Sequence, residues 1–209
     1  MVYFVTQKNA SVKHAPVGEG RQAAKRAATR ARLLGAARDL FLTEGYEATT
    51  TRAILDRAGS SKGAMYHHFA SKAEMLEHLF RDASLTAIRN AGAAAVEGRH
   101  LERLNRAALA WLAELKDPAT RRILLELGPE GLGWRRAKEI EDGHSIRALT
   151  AILTEAVAAG EAPGVDPRLA ARMINALMTE AAFLLAEGGQ AALPEIETRI
   201  AAFITSIAH

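Results

Sequence analysis

The chain has 209 residues, a net charge of +3 at neutral pH and no cysteine, which excludes disulfides, thiolate metal sites and cysteine nucleophiles. Apolar residues make up 49% of the sequence and aromatic residues only 5%, and Ala, Leu, Arg and Glu outnumber the β-branched residues. Because this composition favours helices and no segment alternates strictly between apolar and polar residues, an all-α fold is predicted.

The amino-terminal segment, residues 1–25, is basic. Residues 1–32 hold seven Lys and Arg residues against one acidic residue, a net charge of +6, whereas residues 82–209 hold 14 against 17, a net charge of −3. A basic arm favours contact with nucleic acid, although a solvated tail is the simpler alternative. We expect residues 1–25 to be disordered without DNA.

The order of residues at the start of the chain also bears on localisation. The sequence MVYFVTQKNASVKH places a few apolar residues before polar and basic ones, which is the wrong order for a signal peptide. No apolar run approaches the length that spans a membrane. A cytoplasmic protein without membrane contact is therefore expected.

Apolar residues at helical spacing predict a first helix over Ala27–Glu44, which Gly45 ends. Residues 49–72, TTTRAILDRAGSSKGAMYHHFASK, then predict a short helix, a tight turn at Gly59 and a second short helix. Thr49 or Thr50 caps the first of these helices. Two helices joined in this way are typical of a helix-turn-helix, whose second helix enters the DNA major groove.

The two short helices have an inward and an outward face. The inward residues, which we expect to pack together, are Ile54, Leu55, Ala58, Met65 and Phe69. The outward residues are Lys62, Tyr66, His67 and His68. These outward side chains can donate hydrogen bonds, so this face suits a phosphate backbone.

After the helix-turn-helix, Ser71 and Glu74 predict a capping box at the start of a long helix. Further helices are predicted near 101–115, 118–127, 134–159, 167–187 and 194–207. Gly and Pro residues separate them at 117–118, 128–133, 160–167 and 187–194. The chain is thus expected to contain about nine helices.

The segment from Ala28 to Phe80 contains AARDLFLTEGYEATT, the turn AGSSKG and the run KGAMYHHF followed by SKAEML. The order Gly, two residues, Tyr, one residue, His-Phe, two residues, Lys is much more specific than a generic helix-turn-helix. This segment resembles the DNA-binding head of the TetR family of transcriptional regulators. It departs from the family at Ser60, usually apolar, and at Leu55, often a small residue. Neither departure falls on a candidate DNA contact.

The resemblance implies a head over 26–72 and a helical ligand-binding and dimerisation domain over 73–209. It implies DNA contacts at Thr50, Thr51, Arg52, Ser61, Lys62, Gly63, Ala64, Tyr66, His67, His68 and Lys72. Lys62 is the best candidate for reading a base, since lysine donates to guanine O6 and N7. Tyr66, His68 and Lys72 are expected to bind phosphates, and His67 either a phosphate or a base.

The last two predicted helices carry continuous apolar stripes. Their residues are Leu169, Met173, Leu177, Ala181, Leu184, Ile196, Ile200, Phe203, Ile204 and Ile207. Such stripes either close the core of one chain or pair with their copies across a two-fold axis. The resemblance favours a homodimer, in which two heads about 34–36 Å apart read a palindromic operator in double-stranded DNA.

The resemblance also implies a ligand pocket between the head and the dimer helices. The candidate lining residues are Trp111, Leu115, Leu124, Leu127, Trp134, His144, Asn175, Met178, Glu180 and Phe183. For most of them, ordinary core packing is the simpler interpretation. Glu180 differs because a carboxylate among apolar positions needs a partner. The scarcity of polar candidates suggests an apolar or amphipathic small molecule.

The resulting hypothesis is a homodimeric transcriptional regulator that responds to a small-molecule effector and acts as a repressor, with no cofactor and no enzymatic activity. No metal site is expected, because the adjacent His67 and His68 lie about 100° apart on a helix and form a poor chelate. Two alternatives stay open. One is a non-specific architectural DNA-binding protein, and the other is a helical enzyme or small-molecule carrier with a helix-turn-helix head.

Overall fold

The computed structural model describes residues 17–207, and every regular element in that part of the chain is helical. The predicted all-α fold is confirmed. Ten α-helical segments follow one another: α1 (Val17–Glu44), α2 (Thr51–Ala58), α3 (Lys62–Tyr66), α4 (Lys72–Ala93), α5 (His100–Glu114), α6 (Pro118–Arg122), α7 (Gly128–Leu132), α8 (Trp134–Ala158), α9 (Pro167–Gly188) and α10 (Leu193–Ser206).

The first three helices form a head around a small apolar core. Its fully buried side chains are Leu33, Ala37, Phe41, Ile54, Met65 and Phe69. This is the inward face that the sequence predicts, with Leu55 half-buried against it. The head is therefore held by contacts between residues that are close in sequence.

The start of α1 corrects the predicted boundary. The helix begins at Val17 rather than at Ala27, so the second part of the basic segment 1–25 is helical. The run GRQAAKRAATRAR, rich in Ala and Arg, explains the extension, since these residues have high helix propensity. Residues 1–16, on which the rest of the predicted disordered arm falls, lie outside the described residues.

Helix α4 connects the head to a helical body. α5 and α8 pack on α4, α9 packs on α8, and α10 lies on α5 and α9. The body core draws buried side chains from all these helices: Leu76, Leu104, Leu112, Leu153, Ile174 and Ile200. One continuous helix, α4, thus belongs to both the head and the body.

The predicted break at 128–133 is wrong for most of its length. α6 continues through a π-helical turn, Ile123–Leu127, into α7, and the helical stretch ends only at Gly133, which has φ +79°. Gly128 and Gly131 serve close packing on α4 instead, because a side chain at Gly128 would collide with Phe80. Glycines that look like breaks in the sequence thus allow two helices to approach.

The buried carboxylate of Glu161 ties the α8–α9 loop to the start of α5. It accepts hydrogen bonds from the backbone N–H groups of His100 and Leu101, both at 3.1 Å, and lies 2.8 Å from Nδ1 of His100. Burial alone would raise the pKa of Glu161, but these hydrogen bonds hold it at about 2. The carboxylate therefore satisfies N–H groups that the helix itself leaves unpaired.

Helix α9 corrects the expectation that no segment has membrane-spanning length. Within the described part of the chain it is long and apolar enough to cross a membrane by length and composition, with a mean hydropathy of 1.4. Its core-facing side packs on α8, and 44% of that segment is buried inside the protein. The high hydropathy arises because its outer side is also apolar, with Leu169, Met173 and Leu184 exposed.

Candidate functional site

The helix-turn-helix is held by local caps. Thr50 caps α2, its Oγ1 accepting from the N–H of Ala53 at 3.1 Å. Gly59 ends α2 in the left-handed region, with φ +56°, as the predicted turn requires. Ser61 then caps α3, its Oγ accepting from the N–H of Ala64 at 3.2 Å. These caps fix the direction in which α3 leaves the turn.

The predicted contacts on α3 and in the turn that follows it form a mostly exposed cluster. Lys62 and His67 are exposed, Tyr66 is 53% exposed, and His68 is half-buried. Nζ of Lys62 lies 6.0 Å from the ring centroid of Tyr66. Gly63 has open space around it, so backbone can approach a partner closely at this point. Lys62 and Tyr66 thus lie side by side on α3, whereas His67 and His68 follow the helix and border a groove beside α1.

The predicted contacts at the start of α2 lie beside this cluster in sequence but differ in exposure. Thr50 and Arg52 are exposed, while Thr51 is half-buried. Arg52 is 3.7 Å from Asp56 in a pair whose side chains are 91% and 74% exposed. Such an exposed pair is weak, so the guanidinium can exchange Asp56 for a phosphate at little cost.

Lys72 has a structural role that the sequence did not indicate. Its Nζ donates to the carbonyl oxygens of Tyr46 at 2.7 Å and Thr49 at 3.0 Å. The same ammonium lies 4.0 Å from the ring centroid of Tyr46. Lys72 therefore fastens the turn between α1 and α2 to the start of α4, and a phosphate contact from it stays a prediction.

A basic groove between α1 and α3 is a feature that the sequence patterns did not reveal. It is lined by Gln22, Lys25, Arg26, Ala27, Thr29, Arg30, Ala64, His67 and His68. Lys25 and Arg26 are exposed there, whereas Arg30 stacks on Phe69, its guanidinium carbon 5.1 Å from the ring centroid. The sequence could have indicated this groove through the high helix propensity of residues 20–32, because a helix over these residues carries the cations on the same helix as the head core.

The predicted dimer residues divide between the surface and the interior. Ala181, Ile196, Ile200 and Ile204 are buried in the core of the single chain, which corrects their assignment to an interface. Leu177, Phe203 and Ile207 are half-buried. Leu169, Met173 and Leu184 are 57%, 51% and 47% exposed, and they share one face of α9. We name these three residues the α9 face.

A cavity of about 270 Å³ lies between α4, α5, α8 and α9. Of the ten predicted pocket residues, Trp111, Asn175 and Met178 line it, and a ligand role for them stays a prediction. The other lining residues are Ile88, Ala91, Gly92, Ala95, Arg103, Leu104, Ala107, Ala108, Glu141, Ser145, Ala148, Leu149, Ala151, Ile152 and Glu155. The cavity is thus mostly apolar, with a few polar groups on α5, α8 and α9.

The remaining seven predicted pocket residues lie elsewhere, and their assignment is corrected. Leu115, Leu124 and Leu127 are buried in the core. Trp134 is exposed and its ring lies 5.9 Å from that of Phe183, outside the cavity. Glu180 is exposed on α9, and His144 lies near Arg81 and Arg147, where burial and these two charges lower its pKa. Helical spacing placed these residues on apolar faces without saying which face borders the cavity.

Glu141 also lines the cavity, although the sequence patterns did not single it out. It follows Ile140 and precedes Ser145 by four residues, on a side of α8 that carries Ala148 and Ile152 further along. Burial raises the pKa of the Glu141 carboxyl; the charge of Lys138 lowers it by less, and the charge of Asp142 adds to the rise. A carboxyl on an apolar face was the signal that could have identified it.

Two family models match the chain over most of its length. One, described as bacterial regulatory proteins of the tetR family, covers residues 33–79. The other, described as a tetracyclin repressor-like C-terminal domain, covers residues 101–207. The first corresponds to the head and the start of α4, and the second to the body from α5 onward.

Sequence relatives match the head. The chain is 46% identical over 56 residues to the HTH-type transcriptional repressor KstR2 of Mycolicibacterium smegmatis, which is 27% of each chain. It is 47% identical over 49 residues to the HTH-type transcriptional regulator QacR of Staphylococcus aureus, which covers 23% of this chain and 24% of that protein. The match thus spans about a quarter of these relatives.

Solved structures match the whole fold. A putative TetR-family regulator from Syntrophomonas wolfei has a TM-score of 0.71 at 17% identity, over 90% of this chain and 96% of that one. The regulator FadR from Bacillus subtilis, solved with stearoyl-CoA, has a TM-score of 0.68 at 24% identity, over 85% of this chain and 98% of that one. At these identities the likeness concerns the fold.

Proposed function

Because this chain belongs to the TetR family of bacterial transcriptional regulators, we propose that it binds a palindromic operator as a homodimer and leaves it when a small effector occupies the body. The proposed direction of control is repression, as in the KstR2 repressors that its head resembles. DNA binding in the cytoplasm without enzymatic activity follows from this role.

The observation that carries the proposal is the exposed cluster on α3. Lys62 and Tyr66 lie next to each other on a helix that Gly59 and Ser61 orient, and His67 follows this helix and lines a groove that carries Lys25 and Arg26. Base-reading and phosphate-binding groups on one short helix suit the major groove, and cations on a neighbouring helix suit the flanking backbone.

The homodimer is supported by the α9 face. A helix of five residues reads too few bases to select an operator alone, so two heads must cooperate. The exposed leucines and methionine of the α9 face offer apolar surface that a second copy would cover. A two-fold axis through this face produces two heads that read an inverted repeat.

Effector control is supported by the position of the cavity. Ile88, Ala91 and Gly92 of α4 line it, and the same helix begins beside the head at Lys72. A ligand that favours one tilt of α4 changes the separation of the two heads. The change in operator affinity can be no larger than the ligand's differential affinity for the two arrangements.

Selection from random duplex DNA tests the proposal. The full chain is incubated with the pool at moderate salt, and bound duplexes are amplified and sequenced over several rounds. Enrichment of an inverted repeat whose half-sites are one helical turn apart is expected. Binding without enrichment would indicate an architectural protein, and an absence of binding would favour a carrier or enzyme with a vestigial head.

A further inference from the structure

We propose that the cavity between α4, α5, α8 and α9 selects a small hydrophobic amine, whose ammonium group pairs with the carboxylate of Glu141. The inference rests on the proposed function only in treating this cavity as the effector site. It adds the chemical class of the effector, which the family membership does not define.

The first observation is that Glu141 borders the cavity without a counter-ion. Within the described residues, 17–207, no residue donates a hydrogen bond to its carboxylate. The charge of Lys138 acts on this carboxyl, but the Lys138 ammonium is already 2.7 Å from Asp142. Asp142 also accepts from the amide of Asn175 at 2.8 Å, so this neighbouring network is complete without Glu141.

An uncompensated carboxyl in apolar surroundings is costly, and burial accordingly raises its pKa. A ligand ammonium removes that cost because it supplies both the opposite charge and hydrogen-bond donors. A neutral hydroxyl supplies one donor and no charge, so it compensates the carboxyl less well. Glu141 therefore distinguishes an amine from an alcohol of the same length.

The other charged groups of the cavity argue against an anionic ligand. Among the described residues, Arg103 is the only cation that lines the cavity. Its Nη1 lies 3.5 Å from Glu155, and its Nε donates to the carbonyl oxygen of Ala95 at 2.9 Å. With Arg103 paired to Glu155, the ionised Glu141 leaves the lining with a net charge of −1. A carboxylate ligand would meet this negative charge in a medium that screens it weakly.

The apolar residues that line the cavity determine the size and polarity of the ligand beyond its amine group. Ile88, Leu149 and Ile152 face the cavity together with several alanines, and Trp111 and Met178 complete it. A volume of about 270 Å³ is at the low end for ligand pockets. The expected ligand is therefore a short alkyl or aryl chain with a single amine, rather than a long acyl chain or a polyamine.

Three probes of equal chain length test this inference: octylamine, octanol and octanoate. Each is titrated calorimetrically into the full chain in the absence of DNA, into Glu141→Gln, and into Glu139→Gln as a control with the same charge change. Glu139 is exposed on the same helix and lies outside the cavity. Thermal melts of both variants check that the fold is retained.

Octylamine is expected to bind the wild type about 10- to 100-fold more tightly than octanol or octanoate, the range that a hydrogen bond to a charged group supports. Glu141→Gln should remove this preference while leaving octanol binding within about two-fold, and Glu139→Gln should retain it. Equal or tighter binding of octanoate, a preference that survives in Glu141→Gln, or no binding by any probe would overturn the inference.

The two proposals fail separately. Failure to select an inverted repeat contradicts DNA regulation whatever the probes do. A Glu141-dependent amine preference that leaves operator affinity unchanged supports the cavity chemistry and contradicts effector control.

Discussion

Two lysines of the head, Lys62 and Lys72, show how similar residues take different roles. Both belong to the motif that resembles the TetR family, and the sequence predicts a DNA contact for each. In the structure Lys62 is exposed, with Tyr66 as its aromatic neighbour, whereas the ammonium of Lys72 is held by two backbone carbonyls. The ammonium of Lys62 thus stays exposed, whereas that of Lys72 has a structural role in the turn beside its predicted phosphate contact.

Lys72→Met keeps the apolar stem and removes the ammonium. We expect the free energy of unfolding to fall by about 1–3 kcal/mol, because the carbonyls of Tyr46 and Thr49 lose a charged donor. Urea titration followed by circular dichroism measures the change, with Lys116→Met at an exposed position as the control. Unchanged stability together with a smaller salt dependence of DNA binding would indicate instead that Lys72 binds a DNA phosphate.

Lys62→Ala tests base reading. The variant should lose preference at one position in each half-site, with about 1–3 kcal/mol less discrimination there. Repeating the DNA selection with the variant, and competing single-base operator mutants against each other, measures this loss. An identical selected site at lower affinity would mean that Lys62 contacts only the backbone.

Helices α1 and α4 each extend beyond the unit that the sequence motif defines. α1 reaches back to Val17 and carries Lys25 and Arg26 along the groove beside α3. α4 leaves the head and is bound to α8 through Glu77, which accepts from Arg136 at 2.7 Å and Arg81 at 2.8 Å. Helix length, rather than any motif, thus joins the head to the body and brings Lys25 and Arg26 beside α3.

The double variant Lys25→Ala/Arg26→Ala tests the groove. Operator affinity should fall at low salt, and the slope of log affinity against log salt should flatten by about 0.9 for each phosphate that the variant no longer neutralises. The double variant Arg106→Ala/Lys116→Ala makes the same change in net charge on the body and should leave the slope unaltered. Equal slopes for the wild type and Lys25→Ala/Arg26→Ala would indicate that these two cations are solvated surface residues that do not contact DNA.

The Glu77 ion pairs predict a dependence of stability on pH. Hydrogen bonds from Arg136 lower the pKa of Glu77 to about 2 despite the opposing effect of burial, and Arg81 adds to the lowering. A depressed folded-state pKa stabilises the protein above the ordinary value of 4.5 and loses that contribution as the pH falls toward about 2.

The difference in melting temperature between the wild type and Glu77→Gln should therefore shrink as the pH falls from neutral toward 2. Glu195→Gln removes an exposed pair with Arg199 and should produce a smaller difference at every pH. A wild-type advantage that is constant from pH 7 to pH 2.5 would contradict a role for the ionised carboxylate.

The assembled chain leaves two features that no single helix explains, the α9 face and the cavity. The α9 face is a strip of exposed leucine and methionine on a helix whose other side is core. The cavity is enclosed by four helices, one of which reaches the head. A dimer that joins two such chains would connect ligand occupancy to head separation.

Met173→Glu places a charge at the centre of the α9 face. We expect a monomer in sedimentation velocity experiments and a loss of binding to the selected operator, because each copy would bury an unpaired carboxylate at the interface. Thr154→Glu, an exposed position on α8, should remain dimeric. If Met173→Glu is still a dimer, the dimer interface lies on another surface of the protein.

Local sequence patterns were sufficient for the all-helical class and for the head, although they missed the start of α1 and the helical stretch through α7. Thr50, Gly59 and Ser71 act where the sequence predicted caps or a turn, because caps join residues only a few positions apart. The inward face of the head was predictable for the same reason, since Ile54 and Met65 meet across one turn. The family resemblance rests on this same short segment.

Long-range packing decided what the patterns left open. Ile200 and Met173 both fall on apolar stripes, but α5 and α9 cover the first, while the second stays half exposed in the described part of the single chain. Glu141 borders the cavity and Glu180 does not, although both carboxylates interrupt apolar helices. Helical periodicity states which residues share a side of a helix, and only the arrangement of distant helices determines whether that side meets core, cavity or solvent.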